Sequence, residues 1–175
     1  MFSSTKVSTC IGLLCLLLFS GAAHGQESAT VQAIATVLPA LTVTGTNDLD
    51  FGTVVPGTPA TVDKADIGDA GEYVIAGNPT AEVNLDFTLP DSLRTAGGEA
   101  MDVIFVATDA SYDDGSGGGQ AAPSGVLNPL VTETQNLGAA GGMTIWIGGQ
   151  VEPSPAQTGG SYTGTVTLTV TPTGS

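Results

Sequence analysis

The chain has 175 residues, with 17 Asp and Glu against three Lys and Arg, and its two cysteines and one histidine all fall within the first 25 positions. Past residue 25 there is no thiol nucleophile, imidazole base or Cys/His metal site, which excludes serine–histidine and cysteine–histidine catalysis and histidine-ligated zinc hydrolysis. Lys64 and Arg94 are the only bases there. Affinity for nucleic acid or an anionic membrane surface is built from clustered Lys and Arg, so neither is an expected partner.

The N-terminus places Lys6 ahead of the apolar run Ile11–Phe19, followed by small residues and Ala23-His24-Gly25 before Gln26. That order predicts a secretory signal peptide over residues 1–25. Its apolar core is shorter than the ~20 residues a membrane helix needs, so no span is expected after cleavage. Thr9 precedes Cys10 and Leu14 precedes Cys15; neither cysteine follows the small residue that lipid attachment requires. The expected product is exported to the periplasm, cell surface or extracellular space. Its 150 residues, 26–175, suffice for one domain with a core that needs no disulfide.

No window carries a sustained helical apolar pattern, whereas short β-like runs recur between turn residues, as in an all-β sandwich or barrel. Ala29–Val37 comes first, with Ala29, Val31, Ala33, Ala35 and Val37 on one face. Leu41–Thr44 follows Pro39, and Leu49–Val55 is closed by Pro56-Gly57, a dipeptide suited to a type II turn. Gly52 inside that run suggests a bulge or close backbone approach. Gly71–Gly77 and Ala81–Leu89 are further strands, the second with Val83, Leu85, Phe87 and Leu89 on one side. Met101–Thr108 is another, and the glycine-rich stretch Ser111–Asn128 reads as a long loop. Thr132–Leu137, Met143–Ile147 and, after a Pro/Gly-rich connection, Tyr162–Thr171 complete the set. In the last, Tyr162, Gly164, Val166, Leu168 and Val170 alternate with threonines. A strand puts successive side chains on opposite faces, so one face is buried and one is wet. Burying Val166, Leu168 and Val170 contributes ~1.5–3 kcal/mol each, and a one-residue slip would replace them with threonines.

The spacing of Leu49-Asp50-Phe51-Gly52-Thr53-Val54, then Ile147-Gly148-Gly149, then Gly160-Ser161-Tyr162-Thr163-Gly164 with its Val/Thr tail resembles a bacterial secreted family, domain of unknown function 4402. The resemblance runs from about Ala29 to Thr171. The ending also resembles spore coat protein U-like and fimbrial-subunit domains. These resemblances imply an immunoglobulin-like antiparallel β-sandwich, here of about eight to nine strands. For some of those relatives they imply assembly by donation of a strand to a neighbour. The cysteine pair common in chaperone-assembled pilins is missing, and no catalytic residues come with the resemblance.

Two segments are candidates for assembly or structural roles. Val31, Ala33, Ala35 and Val37 form a terminal, small-sided stripe that either pairs within its own sheet or fills a neighbour's groove. Tyr162, Gly164, Val166, Leu168 and Val170 line the buried face of the last strand. There, Tyr162 is placed to bury its ring and tie its hydroxyl to a loop carbonyl. Asp48, Asp50, Asp113 and Asp114 are the weak candidates for Ca²⁺, but none fits a calcium-loop pattern, and Asx turns or a solvated surface explain them more cheaply. No spacing singles out a glycosidase-type carboxylate pair, and Gly115–Gly119 is not followed by the Lys-Ser/Thr of a phosphate loop. Trp146 and Tyr112 are aromatic candidates for stacking on a sugar, though a tryptophan among isoleucines fits a core. Neither an enzyme nor a cofactor is expected. The expectation is a surface or extracellular structural protein associating with itself or other surface subunits. The alternative is a monomeric module binding Ca²⁺ or a glycan.

Overall fold

The computed structural model describes residues 29–35 and 40–174. The chain divides into two compact units, one up to residue 35 and one from residue 36. In the first, residues 29–35 carry no strand and all are exposed, Val31 at 95%. The described part of the expected Ala29–Val37 strand is therefore not a strand. Alternating Ala and Val define two faces, but a strand also needs a hydrogen-bonded neighbour. Val37 and the predicted leader lie outside the described residues.

The second unit is all-β, with no helix among the described residues and twelve strands in three antiparallel sheets. In chain order these are β1 (Thr42–Asn47), β2 (Ala60–Val62), β3 (Gly71–Ala76), β4 (Glu82–Thr88), β5 (Ser92–Arg94), β6 (Ala100–Ile104), β7 (Ala110–Asp113), β8 (Gly125–Leu127), β9 (Glu133–Asn136), β10 (Gly142–Ile147), β11 (Gly149–Glu152) and β12 (Thr167–Pro172). A five-stranded sheet runs β1-β3-β10-β7-β8, a three-stranded sheet β12-β4-β9, and a four-stranded sheet β2-β11-β6-β5. The five- and three-stranded sheets pack face to face as a β-sandwich. Ile75, Met143, Ile145 and Ile147 of the first form one buried cluster with Val83, Leu85 and Leu168 of the second. A smaller cluster on the four-stranded sheet joins Met101, Val103 and Val151.

The third sheet grows out of the other two. Only Gly148 separates β10 from β11, so one stretch of chain serves the five-stranded sheet and then the four-stranded one. The Gly148 N–H donates to the Asp109 carbonyl at 2.8 Å, and a Cβ at Gly148 would strike the Val62 carbonyl. On the other side Leu89-Pro90-Asp91 connects β4 of the three-stranded sheet to β5 of the four-stranded one.

Several elements depart from the sequence-based expectation. Leu49–Val55 is not a strand: the Asp50 carboxylate accepts the Gly52 N–H at 2.8 Å and Gly52 takes φ 63°, an Asx turn that breaks the run. Pro56-Gly57 does form its turn, with the Thr58 N–H on the Val55 carbonyl at 3.0 Å and Gly57 at φ 75°. The Met101–Thr108 run stops pairing at Ile104, because the Asp109 carboxylate accepts the Val106 N–H at 2.7 Å and turns the chain. Ser111–Asn128 is a hairpin rather than one long loop, β7 pairing with β8 from Ala110↔Leu127 to Tyr112↔Gly125. The strand expected over Tyr162–Thr171 is ladder-paired only from Thr167, and Thr163 bridges Arg94 of the four-stranded sheet instead. Twelve strands exceed the eight to nine expected although two of the expected runs are not strands, because β2, β5, β7, β8 and β11 span only three or four residues each, too few to show a period of two.

Candidate functional site

The two main sheets are unequal, and one side of the sandwich is open as a result. Val43 of β1 is in register with Ile75 of β3, which is in register with Met143 of β10. Residues directly opposite in a ladder share a face, so all three point toward the core. Ile75 and Met143 are buried, yet Val43 is 37% exposed. The reason lies in the opposing sheet. The Tyr73 hydroxyl of β3 donates to the Val166 carbonyl at 2.7 Å, and its ring meets Phe87 of β4 edge-on at 6.2 Å. The C-terminal run therefore reaches β3 at Tyr73, while β1 is one strand further out at the edge of the five-stranded sheet; Leu41 ahead of β1 still packs against the core cluster, and Val43 is left partly exposed. Burial raises the Tyr73 pKa, with the nearby Asp48 charge adding to it, so the hydroxyl stays protonated as a donor.

The seam between β1 and the C-terminal run holds a cleft of about 1020 Å³, which Gly45 and Asn47 of β1 and Gly164 and Val166 of the run help to line. Leu93, Met101, Val103, Phe105 and Tyr162 line it too, with Asp48, Asp50 and Thr163. The Tyr162 ring packs on the smaller core cluster. Its hydroxyl donates to the Thr158 carbonyl at 2.7 Å and accepts from the Gln157 side-chain amide at 2.7 Å. Gly164 lets the run pass close to its neighbours, since a Cβ there would lie 2.7 Å from Leu93 Cδ2. Leu168 is buried and Val166 and Val170 are half-buried, while Thr163, Thr165, Thr167, Thr169 and Thr171 are all exposed.

The structure separates the candidate acids into two places. Asp48 and Asp50 reach the cleft, whereas Asp113 and Asp114 sit in the β7–β8 turn and share the Ser124 hydroxyl, at 2.9 and 2.7 Å. No group of three or more His, Cys, Asp or Glu placed to hold a metal occurs among the described residues. Asp113 takes donors from its own loop: the N–H groups of Gly115, Gly117 and Gly119 at 2.8, 3.0 and 2.6 Å. These bonds, with that from Ser124 foremost, hold its pKa below the usual carboxylate value. The Ser116 and Ser124 hydroxyls lower Asp114 to about 2.

Tyr112 and Trp146 are not brought together. Tyr112 is opposite Ile145 and shares its core-facing side, while Trp146 is opposite Ser111 on the outer side. Trp146 is nevertheless buried, and its indole N–H donates to Glu72 at 2.9 Å. Its place among isoleucines signalled burial, and it is buried, but on the outer side of β10 rather than in the core cluster. Val43 and Tyr73, which define the seam, carried no such signal: their role depends on which strand lies above them, and that is a tertiary fact.

A family model described as Domain of unknown function (DUF4402) matches residues 41–171, from the approach to β1 into β12. No curated protein matches the chain.

Proposed function

The chain belongs to the DUF4402 family, and we propose that this member is an exported, non-enzymatic structural protein of the cell surface or extracellular space that associates with itself by strand complementation. The observation that carries this reading is the uncovered core-facing side of β1, where Val43 stays exposed in line with the buried Ile75 and Met143. An apolar strip beside an unpaired strand edge favours pairing with another chain. Support comes from residues 29–35, which are alternating, exposed and outside any strand. Electron microscopy of the sheared surface fraction, with sedimentation of the purified exported protein, tests this reading. Ordered multimers are expected. A monomer at every concentration and bare surface preparations would overturn it.

The cleft favours a second reading, a monomeric module for Ca²⁺ or a glycan. At about 1020 Å³ it has the size of a ligand site, lined by apolar and polar side chains together. Calorimetric titration of the monomer with Ca²⁺ and with oligosaccharides separates the two, since saturable heat from a stoichiometric site belongs only to the second.

A further inference from the structure

The seam has a particular shape, and the chain contains a segment that matches it. Its side wall is β12, which among the described residues pairs only with β4. Its floor is the core-facing side of β1, and it runs into the cleft that Gly45, Asn47 and Val166 help to line. Resting on the self-association reading, we propose that this seam receives residues 29–37 of a second copy, laid as an added strand along β12 and over β1.

Four observations converge on that occupant. Nine extended residues reach ~30 Å at ~3.3 Å each, which matches the nine residues from Gly164 to Pro172 along the wall. The stripe Ala29, Val31, Ala33, Ala35 and Val37 is small-sided, as suits a strand that packs beside the half-buried Val166 and Val170. The opposite positions are Thr30, Gln32, Ile34 and Thr36, mostly polar, as the wet face of a sandwich requires. Charge agrees as well. Of the 17 acids only Glu27 lies between Gln26 and Asn47, while the other 16 begin at Asp48. Two strongly acidic bodies repel one another, so an almost uncharged segment is the part of one copy that enters another most readily.

Directly opposed residues of neighbouring antiparallel strands have Cα atoms ~4.5–5.5 Å apart, within disulfide reach. Thr169 faces solvent on β12, so a cysteine there leaves the core intact. In a Cys10→Ser/Cys15→Ser background, exported chains with Thr169→Cys are mixed with chains carrying Thr30→Cys, Gln32→Cys or Ile34→Cys and oxidised mildly. A mixed disulfide in clear excess over either homodimer is expected from at least one of these three. Val31→Cys and Ala33→Cys, facing the core, are expected to give none. Val43→Glu is expected to abolish multimers while the circular dichroism spectrum and thermal midpoint of the monomer persist, because the site is exposed. Multimers that survive Val43→Glu without any mixed disulfide would overturn the seam assignment and leave self-association standing. Absence of multimers from the parent chain would overturn both. A disulfide that forms within single chains when Gln32→Cys and Thr169→Cys are combined at high dilution would show the segment completing its own copy, and would overturn donation.

Discussion

The carboxylate of Asp113 is enclosed by donors from its own hairpin turn, and this sets how that turn responds to acid. Donors to the charged form favour it, so Asp113 is shifted down and Asp114 falls to about 2. A group whose pKa is lower folded than unfolded contributes stability in full above its ordinary value, ~3.9 for Asp, and loses it as pH falls through the folded value. Exchange protection of the Gly115, Gly117 and Gly119 amides is therefore expected to hold from pH 7 to 5. It should fade only as pH falls below the ordinary Asp value of ~3.9 and through the lowered value of Asp113, ahead of any loss of the sheets. Hydrogen exchange followed by NMR checks this, and protection lost already at or above the ordinary value would contradict it. Glu72 is the second telling residue: it accepts the Trp146 indole N–H at 2.9 Å and the Thr46 hydroxyl at 2.6 Å. Glu72→Ala leaves a buried donor unpaired and is expected to destabilise by about 1–3 kcal/mol, with Glu72→Gln milder because it keeps an acceptor. Denaturant unfolding followed through Trp146, the one tryptophan, measures both.

At the scale of elements, the C-terminal run shows what sequence periodicity does and does not encode. Its alternation assigns the two faces correctly: every threonine from Thr163 to Thr171 is exposed and Leu168 is buried. Leu168→Ala is accordingly expected to cost about 2–5 kcal/mol, against about 0.5 kcal/mol or less for Thr169→Ala, in parallel chemical denaturation. The partners of the run were not legible. Thr163 bridges β5 whereas Thr167–Pro172 pair with β4, and a period of two is the same whichever strand lies alongside. Gly164 marks the transfer, where Leu93 and Pro90 come close. Gly164→Val is expected to destabilise by about 1–3 kcal/mol through overpacking, and a neutral result would mean that the run has room to move outward. The same limit applies elsewhere. The strands β3, β4 and β10 were readable because they are long enough to alternate or are densely apolar. Leu49–Val55 was misleading because its apolar content does not reveal the turn that Asp50 and Gly52 impose.

For the whole molecule, the sequence conveyed an all-β sandwich without disulfides, and the imbalance between a five-stranded and a three-stranded layer came only with the structure. Residues 29–35 are all exposed and outside any strand. Removing residues 26–37 from the exported protein is therefore expected to abolish multimers while the cooperative unfolding transition survives. Sedimentation with circular dichroism tests this, and multimers that persist without the segment would place the contact elsewhere.

The stretch Gly142–Glu152 also has a consequence in time. Through β10 it is the central neighbour of β3 and β7, and through β11 of β2 and β6. All four of those strands precede it in the chain, by up to about ninety positions for β2. A chain delivered from its N-terminus holds hairpins such as β5–β6 and β7–β8 early, but neither large sheet can close until these eleven residues arrive. Commitment to the folded state thus falls near the end of delivery, and the chain stays threadable through a narrow channel for most of its length.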